Sequence, residues 1–326
     1  MKRKIIIFQT HLSTGTGGGI AEYCRSLQLL FQNNELFNVE VCPILPHKTR
    51  LLGNEYDMEK VRDYLRRANP DIIHVNGYTS LIVKQLFNFA SQNKIKLIYT
   101  PHWHPFNSMR WPLLKRLYFN ILVKPHIKKA DRIICINSEE NKFFQKLNPN
   151  VTKICHWLKT APYPSKIQRV KNRILFVGNL CYKNKGFDAL FDLPQGRYEI
   201  HCVGRGNTPL RDDMTQHTDI SNDGLSELYS SSSLLIVPSH YEAFSYVALE
   251  ALSHGTPIVI SDKVRISEYI NNQDACRVYK LFDKKDMNAK VADMIGRSFD
   301  ISSVMHPFSS TAALSSYTKI YTETLQ

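Results

Sequence analysis

The chain has seven cysteines (Cys24, Cys42, Cys135, Cys155, Cys181, Cys202 and Cys276) but no Cys-x-x-Cys pair among them. An odd, scattered set excludes a disulfide framework and a structural zinc site of ordinary spacing, so a reducing cytoplasm is the expected setting. Nor does any apolar run approach the roughly 20 residues of a membrane span. Lys2-Arg3-Lys4 mimics the start of a signal peptide, but the apolar run behind it, Ile5–Phe8, is too short and suits a first strand. Internal repeats and low-complexity tracts are lacking as well. Acidic residues are missing altogether between Asp71 and Asp131, an interval with nine Lys or Arg.

What remains is ample for folding. Hydrophobic residues make up 43% of 326, enough for two cores of ordinary size. The net charge is +13, with 24 of the 42 Lys and Arg and 11 of the 29 Asp and Glu falling between Met1 and Ser165. That half therefore carries the whole excess, and the remainder is neutral. A field confined to one half points to an anionic partner: a membrane surface, a phosphorylated acceptor or nucleic acid.

Strand-like and helix-like stretches alternate. In the first half, strands are expected at Lys4–Phe8, Val39–Ile44, Asp71–Val75, Ile95–Thr100 and Asp131–Ile136. Helices are expected at Ile20–Phe31, Met58–Ala68 and Leu81–Asn93. Between Thr160 and Asn172 the pattern breaks at Pro162 and Pro164, which reads as a linker. It restarts with strands at Arg173–Val177, Tyr198–Val203, Ser233–Val237 and Pro257–Ile260. This is the rhythm of α/β, doubly wound parallel sheets in two domains.

The most informative stretch is 238–257, PSHYEAFSYVALEALSHGTP, set between two apolar runs. It reads as strand, loop, helix, strand. Glu242 falls in the loop and Glu250 eight residues later, in the second helical turn, while Gly255 and Pro257 stop the helix. Parallel sheets bind ligands beyond their carboxyl ends, and free N–H groups opening a helix favour phosphate. Carboxylates accept sugar hydroxyls, so the pair around a phosphate site suits a nucleotide-sugar. A solvated helix glutamate and an acid at a helix N-terminus are the plainer alternative.

The stretch closely resembles the E-x7-E signature of family 4 glycosyltransferases, the retaining GT-B enzymes. The resemblance implies two Rossmann-like domains facing a central cleft: an acceptor domain at 1–160 and a nucleotide-sugar domain at 173–307. The closing helix, 308–326, would pack back on the first. It implies that Glu242 lies against the donor sugar, that Glu250 holds the ribose, and that the backbone of Ala243, Phe244 and Ser245 faces the donor phosphate and sugar. Phe176-Val177-Gly178-Asn179-Leu180 with Lys185-Gly186 resembles the family's diphosphate motif. Lys185 matches, but Asn179 stands where the family has Arg, and Lys183 is near enough to substitute. Gly18 and Gly19 match the Gly-Gly loop placed beside the donor phosphate. Gly204, with Gly206, falls where the nucleotide base would sit, although turn geometry explains these glycines almost as well. His102, after Ile98–Thr100 and Pro101, matches the strand-end histidine near the reacting centre.

In such a mechanism no protein nucleophile and no metal or other cofactor is required. A donor phosphate oxygen takes the proton of the attacking hydroxyl, and the protein orients and stabilises charge. UDP-sugars are the favoured co-substrate. His102-x-His104 is a weak metal pair without further ligands, and Asp212-Asp213 reads as a solvated turn more readily than as a metal motif. The stretch Arg110–Lys129 mixes leucines and aromatics with Lys115, Arg116, Lys124, Lys128 and Lys129, a short helix bracketed by Pro112 and Pro125. It suits an anionic membrane interface about as well as an ordinary domain surface.

The expected function is transfer of a hexose to a lipid-linked or surface-polysaccharide glycan by a cytoplasmic protein, peripheral on the inner membrane face. Two alternatives stand beside it. One is a non-catalytic GT-B partner or scaffold of a glycosylation complex, motivated by Asn179. The other is a nucleic-acid glucosyltransferase, the less favoured because the charge alone supports it.

Overall fold

Continuous apolar runs such as Ile5–Phe8 and Leu234–Val237 are buried on both faces, as strands inside parallel sheets must be. The computed structural model describes residues 2–10, 19–45, 48–50, 53–77, 81–103, 112–158 and 167–326. It divides into one unit of Met1–His156 with Ser310–Gln326 and another of Trp157–Ser309.

In the first unit β1 (Arg3–Gln9) leads towards α1 (Gly19–Leu30), followed by β2 (Phe37–Val41). A small antiparallel pair, β3 (Lys48–Arg50) and β4 (Gly53–Glu55), precedes α2 (Met58–Ala68). Then come β5 (Ile72–Asn76), α3 (Leu81–Gln92) and β6 (Lys96–Thr100). A helical stretch follows as α4 (Pro112–Tyr118), a π turn (Phe119–Val123) and α5 (Lys124–Ile127). The unit continues with β7 (Arg132–Cys135), α6 (Ser138–Gln145) and β8 (Val151–Lys153). The six-stranded sheet is parallel in the order β2-β1-β5-β6-β7-β8.

Local chemistry sets several of these bounds. The Asp57 carboxylate accepts from the N–H groups of Glu59 and Lys60 to open α2. Asn69 closes it in the left-handed conformation, just before Pro70. The β3–β4 pair, β8 and α6 are not foreseen from the sequence, because such short elements carry too little periodicity. Pro125 does not end a helix as expected; it sits in the first turn of α5, where its missing N–H costs nothing.

The second unit has β9 (Val170–Val177), β10 (Glu199–Val203), β11 (Met214–His217), α7 (Asn222–Ser231) and β12 (Ser232–Val237). It continues with α8 (Tyr246–Ser253), β13 (Ile258–Ser261), β14 (Cys276–Tyr279), α9 (Lys284–Met294) and α10 (Ile301–Met305). Its parallel sheet runs β11-β10-β9-β12-β13-β14. The strand β9 begins at Val170, so the end of the expected linker is already sheet. Positions 160–166 of that linker lie outside the described residues. The last helix, α11 (Ser310–Leu325), belongs to the first unit, where Tyr317 and Tyr321 are fully buried.

In each sheet the strand order reverses once: between β1 and β5 in the first, and between β9 and β12 in the second. Crevices at the carboxyl ends of strands open at such reversals, which is where doubly wound sheets hold ligands.

Candidate active site

In the second unit both strands at the reversal deliver candidate side chains. After β9 the chain passes Gly178 and Asn179 into a 3₁₀ turn, Lys183–Lys185. Gly186 ends the turn at φ +68°, and a Cβ there would lie 2.0 Å from the carbonyl oxygen of Pro238. Only glycine permits that approach. It clamps the lysine turn onto the loop that follows β12, helped by a bond from the His240 N–H to the Asn184 carbonyl. Lys185 then reaches Glu242, with Nζ 2.6 Å from Oε1. Ser239 donates to the same oxygen at 3.0 Å. Two candidates far apart in the chain therefore meet. Lys183 and Asn179 stand exposed, and the Asn179 side chain accepts from the Cys181 N–H to close its own turn.

Glu242 is held by its backbone too. It forms an isolated bridge with Val264, donating to Lys263 and accepting from Arg265. Beyond it Ala243, Phe244 and Ser245 are all buried. The Phe244 ring packs against Tyr246, Tyr269 and Phe308. Ser245 opens α8 at φ +137°, a region L-residues rarely occupy, while its hydroxyl caps the Ala248 N–H. Strain of this kind persists where surrounding contacts enforce it, and it concentrates at functional sites.

Glu250 lies in the second turn of α8, mostly withdrawn from water. Burial pushes its carboxyl pKa up, and the Tyr229 hydroxyl, donating to Oε2 at 2.8 Å, opposes that shift. Tyr229 is itself 2% exposed. The reading of Glu250 as a solvated helix residue is thus wrong. Gly204, at φ +148°, has its Cβ direction 2.0 Å from the Gly178 carbonyl oxygen, so close packing of the two turns requires this glycine. Asp213 is no solvated turn residue either: Arg211 grips both its oxygens at 2.9 and 3.1 Å.

In the first unit Gly19 is the first residue of α1 and exposed. Gly18 and His104 lie outside the described residues. His102 follows β6 at φ +48° and is 7% exposed. Its Nε2 lies 3.2 Å from Oδ1 of Asn76, the last residue of β5. Since an amide oxygen only accepts, Nε2 carries the proton. The imidazole stacks on His156 and meets the edge of Tyr23, whose hydroxyl shares a 2.7 Å bond with Tyr317. Behind the next residue stands Glu140, wholly buried. One carboxylate oxygen accepts from the Trp103 N–H and the other from the Ile136 N–H, each at 2.7 Å. Its pKa is raised to about 8 by burial, against the pull of those two N–H groups.

Sequence reasoning missed Asn76, Glu140, Tyr23 and Tyr229. Asn76 had a readable signal, a polar residue at the carboxyl end of a buried strand next to a topological reversal. The Tyr23–Tyr317 pair, drawn from opposite ends of the chain, had none. Among the described residues no group of three His, Cys, Asp or Glu is arranged to hold a metal ion.

Two doubly wound parallel sheets in one chain, matching solved structures along nearly their whole length, give the chain the GT-B fold. Residues 16–157 match the model Glycosyltransferase Family 4, and residues 171–297 match Glycosyl transferases group 1. The chain belongs to this family of glycosyltransferases. Sucrose-phosphate synthase from Thermosynechococcus elongatus aligns with a TM-score of 0.74 at 16% identity, covering 99% of both chains. The apo lipopolysaccharide outer core galactosyltransferase WaaB aligns with a TM-score of 0.73, also at 16% identity, covering 98% of this chain and 99% of that one. An uncharacterised 41.2 kDa protein in the cps region of Klebsiella pneumoniae is 23% identical over 84% of this chain and 88% of its own length.

Proposed function

We propose that the protein is a retaining transferase that moves a hexose from a nucleotide-sugar to a hydroxyl of a lipid-linked or surface-polysaccharide glycan. The observation that carries this reading is the Lys185–Glu242 pair at the strand-order reversal, beside the strained start of α8. A flexible ammonium held by a single carboxylate is ready to exchange that partner for a diphosphate. The transition state for glycosyl departure builds negative charge on the leaving phosphate, which Lys185 and the N–H groups opening α8 would stabilise. Glu242, released from Lys185, accepts from sugar hydroxyls, and Glu250 from the ribose. His102 is assigned a hydrogen bond to the transferred sugar. The acceptor's proton leaves on a donor phosphate oxygen, so no step calls on a metal. Nucleotide-sugar use and family membership fit together, and the galactosyltransferase and cps-region likenesses support a bacterial glycan acceptor.

The test is thermal shift over a panel of UDP-, GDP- and ADP-sugars, with Glu250→Ala beside the native chain. A donor at about 100 times its Kd adds about 2.7 kcal/mol to folding stability. Stabilisation by one nucleotide, strongest for UDP-sugars and lost in the variant, is expected. A chain that no donor stabilises lacks the proposed site.

A second reading, the non-catalytic GT-B partner, is favoured by one feature. Asn179 is uncharged, and its side-chain oxygen is already committed to the Cys181 N–H. Turnover that appears only in Asn179→Arg supports the partner reading; turnover in the native chain removes it.

A further inference from the structure

The segment from α4 to α5 is apolar on two sides. Tyr118, Phe119, Val123 and Ile127 enter the core of the first unit. Leu113, Leu117 and Ile121 face outwards, 81%, 57% and 60% exposed, with Leu114 beside them. Single exposed leucines are ordinary, but an aligned row is not. Spacing of four residues places these three on one face, and the π turn tightens their alignment. A π helix turns less per residue than an α helix, so Ile121 stays in line with Leu113 and Leu117 instead of drifting round the axis.

Basic side chains flank that row: Arg116, Lys124 and Lys128, all exposed. Among the described residues none of the three meets a carboxylate, and the sequence has no acid between Asp71 and Asp131. The whole excess of +13 lies between Met1 and Ser165, which extends the positive field well beyond this helix.

We infer that this face docks on an anionic phospholipid bilayer, with Leu113, Leu117 and Ile121 entering the acyl boundary and Arg116, Lys124 and Lys128 reaching lipid phosphates. An interfacial helix needs just this pairing of an aliphatic row with flanking cations. Nucleic acid would engage the cations but give the leucines no partner, and unpaired aliphatic surface against a phosphate backbone gains nothing. Charge complementarity over the whole half selects a surface that is anionic over a wide area, as a bilayer leaflet is.

The experiment is flotation of the full chain with vesicles of phosphatidylcholine and phosphatidylglycerol mixed two to one, beside pure phosphatidylcholine vesicles. Two triple variants are compared: Leu113→Ser/Leu117→Ser/Ile121→Ser, and Arg116→Gln/Lys124→Gln/Lys128→Gln. All six side chains are exposed, so both variants keep the native melting temperature, which is measured first. Native protein floats with the anionic vesicles and much less with neutral ones. Each basic side chain near an anionic surface is worth roughly a factor of five, so the basic triple lowers partitioning on the order of a hundredfold. The apolar triple loses at least tenfold. Equal recovery on both vesicle types, an apolar triple that binds as well as native, or tighter binding to duplex DNA than to vesicles would each overturn the inference. None of these readings uses donor binding, so the outcome is independent of the activity proposed above.

Discussion

The lysine and glutamate that meet at 2.6 Å beyond β9 and β12 set up the sharpest tests at the scale of single residues. Lys185→Ala removes the one positive charge found against Glu242 among the described residues. Turnover is expected to fall on the order of a hundredfold or more, the usual consequence of losing a charge-stabilising donor, while the melting temperature changes little. Glu242→Ala should act likewise, and near-native turnover in both would remove the assignment. Tyr229→Phe probes positioning. It deletes the hydroxyl that holds Glu250 at 2.8 Å while keeping the carboxylate itself. We expect the donor KM to rise about fivefold with kcat nearly unchanged, a split that mere loosening of the fold does not produce. The hydrogen bond itself is worth about 1 kcal/mol of stability.

At the scale of elements, two devices pin loops to strands. Gly186 lets the lysine turn press against the Pro238 carbonyl at φ +68°. Alanine there costs about 1–2 kcal/mol for the left-handed backbone alone, and the clash at 2.0 Å with Pro238 adds to it. Gly186→Ala should lower both the melting temperature and the turnover, whereas Gly196→Ala, also at positive φ but with open space around it, lowers only the first. Glu140 is the counterpart in the other unit. Its two oxygens satisfy the Trp103 and Ile136 N–H groups, which follow the ends of β6 and β7. A glutamine has one accepting oxygen, so Glu140→Gln leaves a buried N–H unpaired at a cost of about 1–3 kcal/mol. Urea unfolding reads that loss directly.

For the whole molecule, buried titratable groups shape the pH dependence of stability. His74 and His156 have pKa values lowered to about 3 by burial, so both stay neutral in the fold. Unfolding restores them to about 6.5, and protons bound by the unfolded chain then destabilise the native state as pH falls from 6.5 towards 3. Glu140 acts in the opposite sense. Its folded pKa of about 8 stands above the ordinary 4.5, so the stability it contributes is lost as pH rises from 4.5 to 8. Between 4.5 and 6.5 these two histidines outweigh Glu140, and above 6.5 Glu140 acts without them. These three groups together favour stability near pH 6.5, and the decline towards pH 8 should flatten in Glu140→Gln. A native decline as flat as the variant's removes Glu140 from this role.

Much of this molecule is readable from its chain because the information is local. Short, unbroken apolar runs mark strands that are buried on both faces, and Asp57, Asn69 and Pro70 bound α2 through hydrogen bonds and sterics within a few residues. Glu242 and Glu250 could be picked out for the same reason, since a strand–loop–helix unit carries both. Contacts across sequence distance could not be read. Lys185 and Glu242 come from turns after different strands, His102 and Asn76 from the ends of β6 and β5, and Tyr23 and Tyr317 from nearly opposite ends of the chain. Short edge strands such as β8 exist because a neighbouring strand offers unpaired backbone groups, which no window of sequence contains. Nor does composition say which leucines of a basic helix point away from the core; the π turn and the packing of Phe119 and Val123 settle that. Local propensity and pattern chose the elements. Which side chains converge was left to the order in which the strands pair.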